Sequence, residues 1–330
     1  MNKAIQFIGT QRSGSNLLRL ILNQHDLISA PHPPHLLKTF IPLLPHYKVA
    51  NGNKLDDLVE DMCQWVESNP VPWTDVVLNR DKVLPKVSSI YNIFEQIYLS
   101  KAIADQAEIW CCKSVFNIYY TYELEKSIKP LYIYLYRDGR DVAASFKKAI
   151  VGPKHAYHLA VKWRDEQIMS LTFLKKIEME RKIHISYEAL LNHPEKVVTN
   201  ICNKLEIEYS AKMLLYYTSM ESRHTAESGK MWESVTKPII RDNNGKFHNE
   251  LTSEEIQIFE QVAGDALKLL GYELLNPNEN KAKLDIENYN VLNAQLITEI
   301  KEKAPNLDIQ KRMAQENLLR DIQNRLKVLV

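Results

Sequence analysis

No segment of this 330-residue chain holds the roughly 18 consecutive apolar residues that a membrane-spanning helix needs, so no span is expected. Cysteine is scarce. Cys63, Cys111, Cys112 and Cys202 are unevenly placed and form no Cys-x-x-Cys unit, which argues against a thiol-based metal or redox site. Cys111 and Cys112, neighbours in an apolar stretch, point to opposite faces of a strand and do not readily bridge. Reduced core thiols, as in a cytoplasmic protein, are the expectation. Charge of one sign is missing too: 42 Lys and Arg stand against 41 Asp and Glu, a net charge of +1. No global field therefore draws nucleic acid or an acidic surface. Local clusters matter more, and Arg12, Arg19, Lys113, Arg137 and Lys246 are candidates to converge on one anion. The N-terminal apolar stretch is short and leads straight into a polar loop, so no signal peptide is expected. Finally, no carboxylate lies between Asp26 and Asp56, which leaves histidine as the available choice for a base working near neutral pH there.

What is present suits a soluble globular protein: 45% hydrophobic and 25% charged residues. The length allows one large domain or two small ones. A strand, a loop and a helix over residues 4–24 precede a long variable region, 25–107. Strands are expected at 109–113, 131–136 and 182–187. Helices are expected at 117–127, 140–149, 155–178, 188–205 and 252–269. Strands alternating with helices imply a parallel sheet with right-handed crossovers, and ligands bind outside the carboxyl ends of such strands.

Ala4 to Ile8 reads as a buried strand and Leu17 to Leu22 as the first turns of a helix. Between them lies Gly9-Thr10-Gln11-Arg12-Ser13-Gly14-Ser15-Asn16. A glycine-bounded loop of this kind points backbone N–H groups and a helix N-terminus at one spot, which favours an anion. The glycine spacing is that of a Walker A loop, yet Ser15-Asn16 replaces its Lys-Ser/Thr and the cation has moved inside the loop as Arg12. A nucleotide triphosphatase needs that lysine on its β- and γ-phosphates. A loop without it suits a less charged transferred group, such as sulfuryl, that needs no metal.

A second junction follows Leu131 to Tyr136, an apolar run that fits a central parallel strand. Arg137 at its end presents a forked guanidinium suited to a phosphate dianion, and Ser145, eight residues on, adds a hydroxyl from the following helix. Arg140, between Asp138 and Asp141, reads instead as an ion-pairing residue. The two junctions, in this order, resemble the 5′-phosphosulfate loop and the 3′-phosphate motif of sulfotransferases that use 3′-phosphoadenosine 5′-phosphosulfate (PAPS).

That resemblance covers residues 4–275 and implies further roles. Arg12, Ser13, Gly14, Ser15 and Asn16 would hold the 5′-phosphosulfate, and Arg137 and Ser145 the 3′-phosphate. Lys113 in Trp110-Cys111-Cys112-Lys113-Ser114 would stabilise charge on the sulfuryl group or the leaving phosphate, as would Arg12. Tyr187 in His184-Ile185-Ser186-Tyr187-Glu188 would contact the adenine. Gly245 and Lys246 would belong to a loop closing over the cofactor phosphates, ahead of the helix-start signature at Leu251-Thr252-Ser253-Glu254-Glu255. The family's base lies soon after the first helix, here in Ser29-Ala30-Pro31-His32-Pro33-Pro34-His35. His32 is nearest the aligned position and His35 one step away. Pro33 and Pro34 oppose the helix on which His-x-x-His would share a metal, so no metal is expected.

The implied fold is a three-layer α/β/α sandwich with a central parallel sheet and a P-loop-like strand–loop–helix. The sulfotransferase domain would span 1–275, its helical insert at 41–107 shaping the acceptor pocket. The implied reaction is in-line transfer to a hydroxyl, leaving adenosine 3′,5′-bisphosphate. A small molecule, glycan or lipid would accept, and residue chemistry does not choose among them. A degenerate kinase or nucleotide triphosphatase and a non-catalytic nucleotide binder are the alternatives. Beyond 275, Asn276-Pro277-Asn278 begins a linker. The helical extension to 330 has Ile309, Met313, Ile322, Leu326 and Leu329 along one face, for docking on its own domain or for forming a homodimer.

Overall fold

The computed structural model describes residues 3–47, 54–78, 80–83, 87–277, 283–303 and 306–327. Within them the strands are β1 (Lys3–Gly9), β2 (Ile28–Ser29), β3 (Ile109–Cys112), β4 (Leu131–Tyr136) and β5 (Lys182–Ser186). All pair in parallel, in the order β2-β3-β1-β4-β5. β2, two residues long, has no run of β-formers to announce it. The chain runs outward from β1 on one side and crosses over it to reach β4. The carboxyl end of β1 is thus the switch point at which ligands sit in open sheets.

Side-chain alternation along each strand divides the core into layers. Ile5 and Phe7, Cys111, and Leu131, Ile133 and Leu135 point to one face. There they meet α1 (Ser15–Leu22). The other face carries Trp110 and Cys112, which pack into the insert, and Ile8, Tyr132 and Tyr134. Cys111 and Cys112 do lie on opposite faces, and all four cysteines are buried and free.

α2 (Leu36–Phe40) leads into the insert, which contains α3 (Leu44–Tyr47), α4 (Lys54–Glu67), α5 (Arg80–Val83) and α6 (Ile90–Ala104). Its core is aromatic: the rings of Phe94, Tyr98 and Trp110 pack tilted or edge-on, with centroids no more than 5.7 Å apart. After β3, a 3-10 stretch at Val115–Tyr120 leads into α7 (Thr121–Ser127), where a single helix was expected. Next come α8 (Gly139–Lys148), α9 (Ala156–Leu174), α10 (Tyr187–Asn192) and α11 (Pro194–Leu205). The helix expected over 188–205 is broken at His193. Pro194 disfavours helical geometry in the residue before it, and His193 sits at φ −134°. α11 adds Val198, Ile201 and Leu205 to the first face, and α9 adds Phe173 and Leu174 to the second.

α12 (Met220–Glu227) lies between 3-10 segments at Ala211–Thr218 and Lys230–Thr236. α13 (Phe247–Glu250) precedes α14 (Ser253–Leu269), whose N-terminus is closed by a capping box of Thr252 and Glu255. α15 (Ile286–Glu302) and α16 (Asn306–Leu326) form the C-terminal extension. Both fold back onto the chain. Asn293 Oδ1 of α15 accepts from the N–H groups of Lys154 and His155. Ile322 of α16, 2% exposed, enters the insert's core with Leu318, Leu319 and Leu326 beside it. Arg325 pairs with Asp61 of α4. Of the face expected on this helix, Ile322 and Leu326 are covered, whereas Met313 is 47% exposed. The side chain of Ile309 and residue Leu329 lie outside what is described. Among the described residues, no helix is long and apolar enough to cross a membrane.

Candidate active site

The loop after β1 is held in a conformation its sequence makes possible. Gly9 (φ 126°), Arg12 (φ 70°) and Gly14 (φ 89°) all adopt left-handed backbone geometry. A side chain at Gly14 would collide with the Tyr187 ring, 2.3 Å from its Cβ position. Gly14 leads α1 without a side-chain cap. The first N–H groups of the helix therefore have no intrahelical acceptor and face the loop. Ser13 Oγ and Asn16 Nδ2 are buried without a hydrogen-bond partner among the described residues.

The two phosphate-type motifs meet. Arg12 Nε donates to Ser145 Oγ at 3.0 Å, and Arg137 Nη1 reaches the Arg12 carbonyl at 3.4 Å. Arg137 also donates to the Asn243 carbonyl at 2.8 Å, pairs with Asp141 at 3.2 Å, and lies 4.5 Å over the Tyr187 ring. Its Nε has no hydrogen-bond partner among the described residues. Arg140, by contrast, is neutralised by Asp138 at 2.7 Å and Glu260 at 2.6 Å. Its network is buried rather than solvated.

Lys113 sits just past the end of β3, a segment held by Gln6. The Gln6 amide donates to the carbonyls of Cys112 (3.2 Å) and Ser114 (3.1 Å) and accepts from Asn117 (2.9 Å). Burial, with Arg19 and Arg12 nearby, lowers the Lys113 pKa to about 7. Burial and then Arg137 lower that of Arg12 to about 10. Cations held this way gain free energy when an anion arrives.

His32 and His35 line the same cavity. The His32 ring is buried, with neither nitrogen bonded among the described residues, while its carbonyl is fixed by Asn69 (3.2 Å) and Trp73 (2.6 Å). His35 has its Nδ1 2.8 Å from Ser114 Oγ. Burial, then Lys113, depresses both imidazole pKa values well below 6.5, so both are neutral near pH 7.

These residues share one cavity of about 1310 Å³. Arg12, Gly14, Ser15, Asn16, Arg137, Ser145, Tyr187 and Lys246 line its loop end. Three expected members do not. Gly245 lies off the lining and gives its N–H to Asp141 at 2.8 Å. Arg19 is fully buried and paired with Glu221 at 2.6 Å, so it supports α1 instead of joining the other cations. Ser13 is buried behind the loop.

The sequence reading missed Asp141 as the clasp of the 243–247 loop, Asn243 as donor to Tyr187 Oη (2.6 Å), and Met231, whose carbonyl takes Arg12 Nη2 at 3.5 Å. For Asp141 a signal existed in its i, i+4 spacing from Arg137. Lys38, Lys162 and Trp232 also line the cavity, as do Arg312, Gln315 and Leu319 of α16. Nothing in the extension's sequence marked it as part of a site. Among the described residues no cluster of His, Cys, Asp and Glu suited to a metal occurs.

Comparison with known proteins bears on the fold and the family. The sulfotransferase domain of the curacin biosynthetic pathway superposes with a TM-score of 0.54 at 21% identity, over 83% of this chain and 99% of that one. The sulfotransferase domain of the Synechococcus PCC 7002 olefin synthase gives 0.53 at 21% identity, over 79% and 94%. Among curated proteins no sequence match is found. The sequence pattern of the sulfotransferase family matches residues 5–211, more than half of the chain, which takes in both motif junctions and the two histidines. The chain therefore belongs to the sulfotransferase family.

Proposed function

We propose that the protein moves the sulfuryl group of PAPS to a hydroxyl acceptor, without a metal. The observation that carries this reading is the meeting of the two motifs. Arg12 of the first loop bonds Ser145 of the second, with Arg137 and Lys113 in the same cavity. The donor fits the buried groups around this junction. Asn16 Nδ2 and Arg137 Nε, of two residues on the cavity lining, have no hydrogen-bond partner among the described residues, and a phosphosulfate and a 3′-phosphate would supply them. Arg137 and Ser145 would anchor the 3′-phosphate, with Lys246 at the rim and Tyr187 toward the adenine. The loop amides of 13–16, Arg12 and Lys113 would hold the sulfuryl and bridging oxygens, where charge develops during transfer.

His32 is our choice of base. A buried imidazole with both nitrogens unbonded is costly unless a ligand completes it. Neutral at pH 7, it can take the acceptor's proton as the new O–S bond forms and the bond to the 5′-phosphate breaks. His35, anchored by Ser114, would position the acceptor. Buried, reduced cysteines suit a cytoplasmic setting.

Calorimetric titration with adenosine 3′,5′-bisphosphate in EDTA, and with ATP and Mg²⁺, tests the donor site. Binding of the bisphosphate that is lost in Arg137→Ala is expected; binding of Mg-ATP alone would overturn the reading. With an acceptor in hand, His32→Ala should lower kcat by about 10²-fold or more with little change in donor affinity. If His32→Ala keeps kcat and His35→Ala loses it, the two roles are reversed.

A further inference from the structure

The middle strand of the sheet carries a polar side chain in its buried centre. Gln6 of β1 alternates with Ala4 and Ile8, which pack into two different apolar clusters on the same face. A parallel strand covered on both faces ordinarily reads as unbroken apolar sequence. A buried amide is costly there unless its groups find partners.

Gln6 finds them just past the end of β3. The ladder between β1 and β3 closes with the pair Gln6 and Cys112. Beyond that pair the side chain continues what the backbone began. Its Nε2 donates to the carbonyls of Cys112 (3.2 Å) and Ser114 (3.1 Å), and its Oε1 accepts from Asn117 Nδ2 (2.9 Å). Lys113 lies between the two carbonyls held in this way. The Ser114 N–H in turn donates to Cys112 Sγ at 3.4 Å.

Both residues of this short segment serve the cavity. Lys113 lines it, whereas Gln6 does not. Ser114 Oγ lies 2.8 Å from His35 Nδ1, and Phe116 meets the His35 ring edge-on at 5.1 Å. His35 has a left-handed backbone, φ 56° and ψ 39°, which a side chain seldom adopts unless its surroundings impose it. One amide thus lies behind both a donor-side cation and an acceptor-side imidazole.

We propose that Gln6 is a positioning residue for sulfuryl transfer: by fixing the Cys112 and Ser114 carbonyls it sets Lys113 against the donor anion and, through Ser114, the His35 ring against the acceptor. This rests on the sulfotransfer reading.

Gln6→Met keeps the length of the side chain and gives up its hydrogen bonds. Adenosine 3′,5′-bisphosphate is titrated at pH 8 into the full-length protein in buffers of different ionisation enthalpy, which reads Lys113 taking up a proton as the anion arrives. In Gln6→Met the uptake should fall, and the affinity with it by about ten-fold, the contribution of one charge-assisted hydrogen bond. A Lys113 that moves out to solvent is already charged at pH 8, and one that moves away from the anion stays neutral, so uptake falls either way. The imidazole nitrogen-15 signal of His35, identified by its loss in His35→Gln, should shift in Gln6→Met as it does in Ser114→Ala. Ile322→Ala, a core truncation on α16, shows what lost stability does by itself and should change neither reading. A Gln6→Met protein that keeps the wild-type uptake, or whose His35 signal stays in place, overturns the proposal whatever its Tm. So does a wild-type protein that binds the bisphosphate without taking up a proton, because Lys113 then does not meet the anion. Should Gln6→Met not fold, Gln6→Asn, whose amide is one methylene short of spanning both carbonyls, carries the same expectation and the same refutation. Failure of the wild-type protein to bind the bisphosphate at all would instead overturn the sulfotransfer reading.

Discussion

Lys113 and Arg12 show how single residues set the chemistry here. Among the described residues neither is paired with a carboxylate; each is buried, with other cations nearby. Lys113, with a pKa of about 7 in place of 10.5, is half protonated at neutral pH in the free protein. A phosphate dianion restores the charged form by Coulomb attraction. Binding of adenosine 3′,5′-bisphosphate at pH 8 should therefore draw in a proton. Affinity should be greatest below pH 7 and fall as pH rises from there toward the raised pKa of the complex. Titrations in buffers of different ionisation enthalpy read this directly, and Lys113→Met should abolish the uptake. If the heat is independent of buffer, Lys113 is not in contact with the anion. The histidines work the other way. Their depressed pKa values keep them neutral throughout that range, so acidification costs base function only well below pH 6.5.

At the scale of elements, the site depends on junctions more than on the elements they join. α8 begins one residue after Asp138, whose side chain accepts from the Arg140 N–H at 2.9 Å. Its next carboxylate, Asp141, takes the N–H groups of Gly245 (2.8 Å) and Phe247 (3.0 Å) while pairing with Arg137. One buried carboxylate thus fixes a loop 104 residues away in sequence and orients the guanidinium proposed to hold the 3′-phosphate. Asp141→Asn should weaken adenosine 3′,5′-bisphosphate binding at least ten-fold and destabilise the fold by about 3 kcal/mol, the typical cost of breaking a buried pair. Urea unfolding and titration calorimetry give the two numbers. Unchanged values in both would mean that the 243–247 loop is held by something else. The expected strands and helices were legible because their apolar periods are strong. The junction residues were legible only where glycine, arginine and serine fell at a recognisable spacing. Asp141 read as one more acid in a charged helix start, because its partners lie in a segment with no periodic signal.

For the whole molecule, the C-terminal extension is the notable feature. α15 is tied to the 153–158 region through Asn290 and Asn293, and α16 closes the insert's core with Ile322. Between them they add the far wall of the cavity. Ile322→Ala should cost about 2–4 kcal/mol through a cavity in that core. Donor binding should be unchanged, because the residues proposed to hold the donor lie on the sheet's carboxyl edge. A Tm shift without loss of adenosine 3′,5′-bisphosphate affinity is the expected pattern, and loss of both would show that the extension also shapes the donor site. The extension's charged surface hid this role in the sequence. Its covered stripe is narrow, and Met313, expected on the same face, is 47% exposed.

By itself the sequence determined the strand order of events: an apolar strand, an anion loop with Arg12 in place of the Walker lysine, and a second strand ending in Arg137. These features are local, since a glycine's φ, a helix N-terminus and a period-2 apolar run are each decided within a few residues. Tertiary structure alone decided which cations share a cavity. Arg12, Lys113 and Arg137 do, whereas Arg19, close by in sequence, turns into the core to meet Glu221. It also decided that α16 reaches the cavity wall. Such choices depend on contacts between residues hundreds of positions apart, whose free energy exists only once the layers have packed.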